Sequence, residues 1–109
     1  MSDFNSYQRS ATKTAIYPPE HKILYPALGL AGEAGEVANK VKKVMRDGVE
    51  NQPDNWREHI ASEIGDVLWY CAALATDLNV SLGMIASLNE KKLQDRYERG
   101  KLNGSGDNR

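Results

Sequence analysis

Four carboxylates carry the chemistry open to this sequence. Glu33 and Glu36 stand three residues apart, and so do Glu63 and Asp66. On a helix, side chains three apart project within about 60° of each other. Each pair also borders an apolar face instead of open water. Beside the first pair runs an arc from Leu24 and Leu28 through Val37 to Met45; beside the second lie Ile60, Ile64, Val67, Cys71, Leu74 and Leu78. If the two segments pack core to core, the pairs converge across one seam. Carboxylates meeting in a partly dehydrated site repel strongly. A bound cation relieves that repulsion better than protonation does, and oxygen-only ligands suit Mg²⁺, with Mn²⁺ able to replace it. Mg²⁺ shares its shell readily with substrate phosphates, so the pattern points to phosphate chemistry. Such chemistry needs charge neutralisation and positioning more than a protein nucleophile. One carboxylate not fully used as a ligand can orient water, and Glu36 is the weakly favoured choice.

A single Glu-x-x-Glu on a helix is usually a solvated face, and Lys40 can pair with Glu36 four residues before it. Two such pairs, each at the edge of an apolar face, shift the balance towards a site. Gly29, Gly32 and Gly35 interrupt the same segment. Each costs roughly 1 kcal/mol against alanine, which points to close approach by another helix or a ligand. Opposite charge is available from Asn89, Lys92 and Arg96, which line one helical stripe. Lys and Arg suit phosphate oxygens and Asn suits a sugar or base edge, although that stripe taken alone reads as a solvated face. Lys40 is a further candidate for the substrate. Trp56, Trp69 and Tyr70 can stack on a base, with packing the better role for Trp69. His59 borders the acidic stripe. No Ser/His/Asp or Cys/His set is visible, and Cys71 lies on the core face.

Four helices are expected to position these groups. The first covers residues 3–15, with Asp3 as N-cap and a stop at Tyr17-Pro18-Pro19. The second covers residues 23–46, with Pro26 in its first turn and Gly48 closing it. The third covers residues 56–78, capped by Asp54 or Asn55 and ended by Asn79; the fourth runs from a Ser81 cap to about residue 99. Nothing alternates with period two long enough for a strand. The expected fold is all-α, a four-helix bundle-like core in one domain over residues 1–100, with a flexible polar tail over residues 101–109. The stretch 67–75 is apolar on nearly every side, more than one small bundle can bury. An oligomer joined on the face carrying Trp69 is therefore expected.

The chain has 109 residues, 14 basic and 15 acidic, and a formal net charge of −1. That length fits one domain, and that balance argues against nucleic acid as partner. The lone Cys71 forms no internal disulfide. With no signal peptide and no apolar run near the roughly 20 residues of a membrane span, a cytoplasmic protein without membrane partners is expected.

The segments Gly29–Val37 (GLAGEAGEV), 63–68 (EIGDVL) and 89–97 (NEKKLQDRY) together resemble the MazG-like all-α nucleoside triphosphate pyrophosphohydrolases, in a small single-domain form. Their signature is ExxE, a spacer, then ExxD, with a closing NxxKLxxRY element. The likeness covers about residues 28–100 and departs from the common RYPxG ending at Glu98 and Arg99. The resemblance implies Mg²⁺-dependent hydrolysis between the α- and β-phosphates of a nucleoside triphosphate. It makes Glu33, Glu36, Glu63 and Asp66 the metal ligands, and Asn89, Lys92 and Arg96 nucleotide contacts. It implies a homodimer or a dimer of dimers with sites near subunit contacts, and a role in cleaning the nucleotide pool. A phosphoribosyl-ATP pyrophosphatase, a dUTPase-like relative and a non-catalytic helical interaction module are the other readings. A di-iron bundle is disfavoured, because no histidine follows a glutamate by three residues.

Overall fold

The computed structural model describes residues 3–104. It consists of four α-helices, α1 (Phe4–Thr12), α2 (Leu24–Asp47), α3 (Trp56–Asp77) and α4 (Leu82–Glu98), with short 3₁₀ turns at Pro19–His21 and Val49–Asn51 and no strand among the described residues. Part of the expected tail, residues 105–109, lies outside that range; residues 101–104 are exposed.

Most helix ends follow the sequence signals. Asp3 accepts from the Ser6 backbone N–H at 2.7 Å, and Ser6 Oγ accepts from the Asp3 N–H at 3.1 Å, a reciprocal cap. Ser81 Oγ accepts from the Met84 N–H at 3.1 Å and starts α4. Gly48 closes α2 at φ 89°, and Asn79 leaves α3 at φ 60°. Two expectations are corrected. Helix α1 stops at Thr12 instead of residue 15, because the chain tightens into three-residue turns there and Thr14 Oγ1 takes the Ala11 carbonyl at 3.0 Å. Asn55 occupies the N-cap of α3 but its side chain makes no capping bond.

Helices α2 and α3 form the main pair. Residues 23 and 77, 29 and 70, and 40 and 63 meet across it, so the two run antiparallel. Asp77 fixes one end of the pair. Its Oδ2 accepts from Tyr17 Oη at 2.7 Å and from the Ile23 N–H at 2.9 Å. That second bond holds Ile23 at φ 69°, a left-handed conformation that a β-branched residue rarely adopts. Burial and the bond to Asp77 push the Tyr17 phenol up to about 12.

At the other side of α3 the core is small. Ala11, Ala72, Ala75 and Leu82 are buried, with Tyr7, Leu68, Trp69 and Cys71 packed against them. Gln8 stitches this corner: its Nε2 donates to Thr76 Oγ1 and to the Val80 carbonyl, both at 3.0 Å, and its Oε1 accepts from the Leu82 N–H at 2.7 Å. The chain then bends by 103° between α3 and α4. Helix α4 therefore packs on α1 and α3 and does not close over α2 as the fourth member of a compact bundle. The radius of gyration, 16.9 Å, exceeds the roughly 13 Å of a compact chain this long.

The apolar arcs are accordingly only half covered. On α3 the buried residues are Ala72, Ala73 and Ala75, whereas Ile64 and Leu78, expected in the core, are 55% and 50% exposed. On α2, Leu24, Leu28 and Met45 are 60%, 64% and 80% exposed. One antiparallel neighbour covers only one side of such a wide arc. The Trp69 indole N–H donates to Thr14 Oγ1 at 2.8 Å. Uncovered apolar surface also lies on α2, at Ile64 and along α4. No single described helix is long and apolar enough to cross a membrane.

Candidate functional site

The antiparallel register places Glu33 of α2 against Glu63 and Asp66 of α3. One carboxylate oxygen from each lies within 4.8 Å of the other two. Glu33 and Glu63 are half-buried and Asp66 is exposed. Burial and the neighbouring Asp66 and Glu63 push the Glu33 carboxyl up from its ordinary 4.5. Glu36, the fourth expected ligand, does not join this group; it lies exposed one turn further along α2.

Lys40 does not pair with Glu36. Its Nζ lies 3.7 Å from Glu63 Oε1 across the helix pair. Helical spacing offers Lys40 only Glu36, and packing supplies the partner it takes on the facing helix. One ammonium facing three carboxylates leaves a net negative site, which suits an oxygen-ligated cation such as Mg²⁺ or Mn²⁺.

Only one of the three glycines meets a close neighbour as expected. A Cβ at Gly29 would run into the Tyr70 ring, while Gly32 and Gly35 face open space. Tyr70 belongs to an aromatic cluster that the sequence did not reveal. Tyr17 and Tyr25 stack with centroids 4.7 Å apart, Tyr25 lies 6.3 Å from Tyr70, and Trp69 meets Tyr70 edge-on at 5.0 Å. Tyr17 precedes prolines in a connection without periodicity, where sequence offers no rule for which residue of α2 it faces. Burial and the neighbouring Tyr25 hydroxyl push the Tyr70 phenol up, with smaller contributions from Glu33 and Asp66.

Clefts flank the acidic group. A cleft of about 330 Å³ is lined by Thr14, Glu33, Asp66, Trp69 and Tyr70. One of about 230 Å³, lined by Tyr17 and Tyr25 among others, shares Thr14, Trp69 and Tyr70 with it. Towards the other end of the helix pair, a cleft of about 140 Å³ is walled by Lys40, Lys43, Trp56 and His59 over Val44 and Ile60. Trp56 and His59 thus belong to a cleft of their own beyond the acids, and Trp69 and Tyr70 line the one beside them.

The basic stripe stands apart from these clefts, none of which takes a lining residue from α4. Asn89 and Lys92 are exposed on α4 and Arg96 is buried, at 3% exposure. Among the described residues no buried side-chain nitrogen or oxygen lacks a partner.

The model of the MazG nucleotide pyrophosphohydrolase domain matches residues 21–100. A phage protein, the "Gene 37 protein" of Mycobacterium phage L5, is 48% identical over 111 residues, covering 94% of this chain and 96% of that protein. No solved structure matches.

Proposed function

Because the chain belongs to the MazG nucleotide pyrophosphohydrolase family, we propose that it hydrolyses nucleoside or deoxynucleoside triphosphates to a monophosphate and pyrophosphate with Mg²⁺, and so clears unwanted nucleotides. The observation that carries this reading is the meeting of Glu33, Glu63 and Asp66 oxygens within 4.8 Å, beside an aromatic cleft. One water oxygen bonds to the α-phosphorus, the bond from that phosphorus to the bridging oxygen breaks, and pyrophosphate leaves.

Glu33, Glu63 and Asp66 are the residues that would hold Mg²⁺, with Glu36 one turn away as a further ligand. When bound, the ion would neutralise phosphate oxygens and lower the pKa of a coordinated water. Glu36 orients the attacking water and accepts its proton, and Glu63 holds the phosphate end of the site in place. Tyr70, with Tyr25 and Trp69 behind it, stacks on the base. Lys40 contacts phosphate oxygens from its place beside Glu63.

Asn89 and Lys92, exposed on α4, act from a second copy in a homodimer or dimer of dimers, while Arg96, the third residue of that stripe, is 3% exposed in its own chain and does not reach across. Two observations support this: α4 is turned away from its own acids by the 103° bend, and the α2 arc around Leu24, Leu28 and Met45 is uncovered.

A product assay tests the reading. Each dNTP and NTP is incubated with the protein, with and without Mg²⁺, and the products are resolved. Monophosphate with pyrophosphate, formed only with Mg²⁺, is expected. Diphosphate with phosphate would mean that another bond is cut. No turnover of any triphosphate would overturn the reading and bring forward phosphoribosyl-ATP, then a non-catalytic module.

A further inference from the structure

We propose that the cleft walled by Lys40, Lys43, Trp56 and His59 is an anion subsite for the β- and γ-phosphates, and holds pyrophosphate after cleavage. The inference rests on the reaction proposed above, and it fixes which way round the nucleotide lies along the α2–α3 groove.

The groove is asymmetric about its acidic centre. On the Tyr70 side, the lining residues of both clefts are aromatic, apolar, hydroxylic or acidic, and none is cationic. On the Trp56 side, the lining carries Lys40, Lys43 and His59 and no carboxylate. The Arg57 guanidinium adds a further positive charge 4.5 Å above the Trp56 ring. A triphosphate has one uncharged planar end and one polyanionic end. The acids repel the polyanionic tail wherever no cation intervenes. The aromatic side therefore takes the base, and the tail runs towards the lysines.

Lys40 joins the two regions. Its Nζ is 3.7 Å from Glu63 Oε1, while its side chain lines the Trp56 cleft. Lys43 stands one turn further on the same helix, about 4.5 Å along the axis. His59 lies on the facing helix, four residues before Glu63 and so one turn away on the same stripe. These groups thus continue the line of the acids along the same helix pair, with cations following the carboxylates. Val44 and Ile60 complete the lining with apolar surface.

Titration calorimetry of the full chain with inorganic pyrophosphate, without added metal, tests the site apart from turnover. Lys43→Met is expected to weaken pyrophosphate binding about tenfold, as loss of one charge-assisted contact implies. Lys43→Arg is expected to retain it. Lys42→Met, a neighbouring lysine outside the cleft, is expected to change it less than about twofold. Far-UV circular dichroism establishes that each variant is folded. Unaltered binding in Lys43→Met, equal weakening in Lys42→Met, or no binding to the unmodified chain would overturn the subsite. Absence of nucleotide hydrolysis with pyrophosphate binding lost in Lys43→Met would overturn the reaction and leave the anion site standing. Hydrolysis with unaltered pyrophosphate affinity in that variant would overturn the site alone.

Discussion

The ring of Tyr70 lies against the backbone of Gly29, in the space that a Cβ at residue 29 would fill. Helix α2 accepts a poor helix former at this position so that an aromatic ring of α3 can sit against it, one turn before Glu33. Intrinsic propensity alone would make Gly29→Ala stabilising by about 1 kcal/mol. The clash with a ring attached close to rigid backbone reverses the sign. We expect Gly29→Ala to lower stability by about 1–3 kcal/mol and to raise KM for the nucleotide more than it lowers kcat. Thermal unfolding and steady-state kinetics check this; a stabilised variant with unchanged KM would contradict it.

Glu63→Gln keeps shape and removes one charge from the acidic group. Mg²⁺-dependent turnover is expected to fall by at least about 100-fold, with the fold retained. Calorimetric titration with Mn²⁺ should show weakened metal binding in the same variant. Full turnover would remove Glu63 from the site.

The raised Glu33 carboxyl gives a pH dependence with a definite sign. A carboxyl whose folded pKa exceeds its ordinary 4.5 binds its proton more tightly in the folded state. Its favourable contribution is complete below 4.5 and is lost as pH rises through the folded value. Metal-free protein should therefore gain stability from Glu33→Gln at neutral pH, and the gain should vanish below pH 4.5. Melting temperatures of both proteins across pH 3.5–8 in a chelator test it; a gain that grows on acidification would refute the assignment.

Gln8 makes three bonds across the corner of α1, α3 and α4. Replacing it with alanine leaves the Leu82 N–H without its partner at the start of α4. The expected cost is about 1–3 kcal/mol, a fall of roughly 4–8 °C in Tm per kcal/mol for a domain of this size. Thermal melts decide the outcome, and an unchanged Tm would show that water replaces the amide.

Leu28 is 64% exposed on the uncovered arc of α2. Leu28→Glu should leave the single-chain fold intact and place a charge in the proposed contact between copies. A cost of about 3 kcal/mol corresponds to a dissociation constant raised roughly a hundredfold. Sedimentation measures it; a monomeric unmodified chain would remove the premise.

Helix positions, the Asp3 and Ser81 caps and the two acidic pairs were legible because each depends on spacing within a few residues. What stayed hidden depends on contacts between distant segments. The choice of Lys40 for Glu63 over Glu36 needs the facing helix. The stacking of Tyr17 on Tyr25 needs the path of a non-periodic connection, and Gln8 looks like any polar residue until the corner of α3 and α4 closes on it. The wheel for α3 put Ile64 in the core because the residue is apolar, yet the small side chains Ala72, Ala73 and Ala75 are what allow α1 and α4 to approach.

The bond from Ile23 to Asp77 decides something that the acids cannot decide themselves. Glycines recur in α2 at 29, 32 and 35, and glutamates at 33 and 36, all in steps of three. If α2 slid by three residues, about 4.5 Å with a rotation of about 60°, Gly32 would replace Gly29 under the Tyr70 ring and Glu36 would replace Glu33 opposite Asp66. The helix is thus nearly commensurate with its own displacement. Asp77 is the stop that breaks this degeneracy: its carboxylate takes the backbone N–H of residue 23 and the hydroxyl of Tyr17 together, and three residues along stands Pro26, which has no N–H to give. A single carboxylate at the far end of the helix pair thereby selects which of two glutamates faces the third helix.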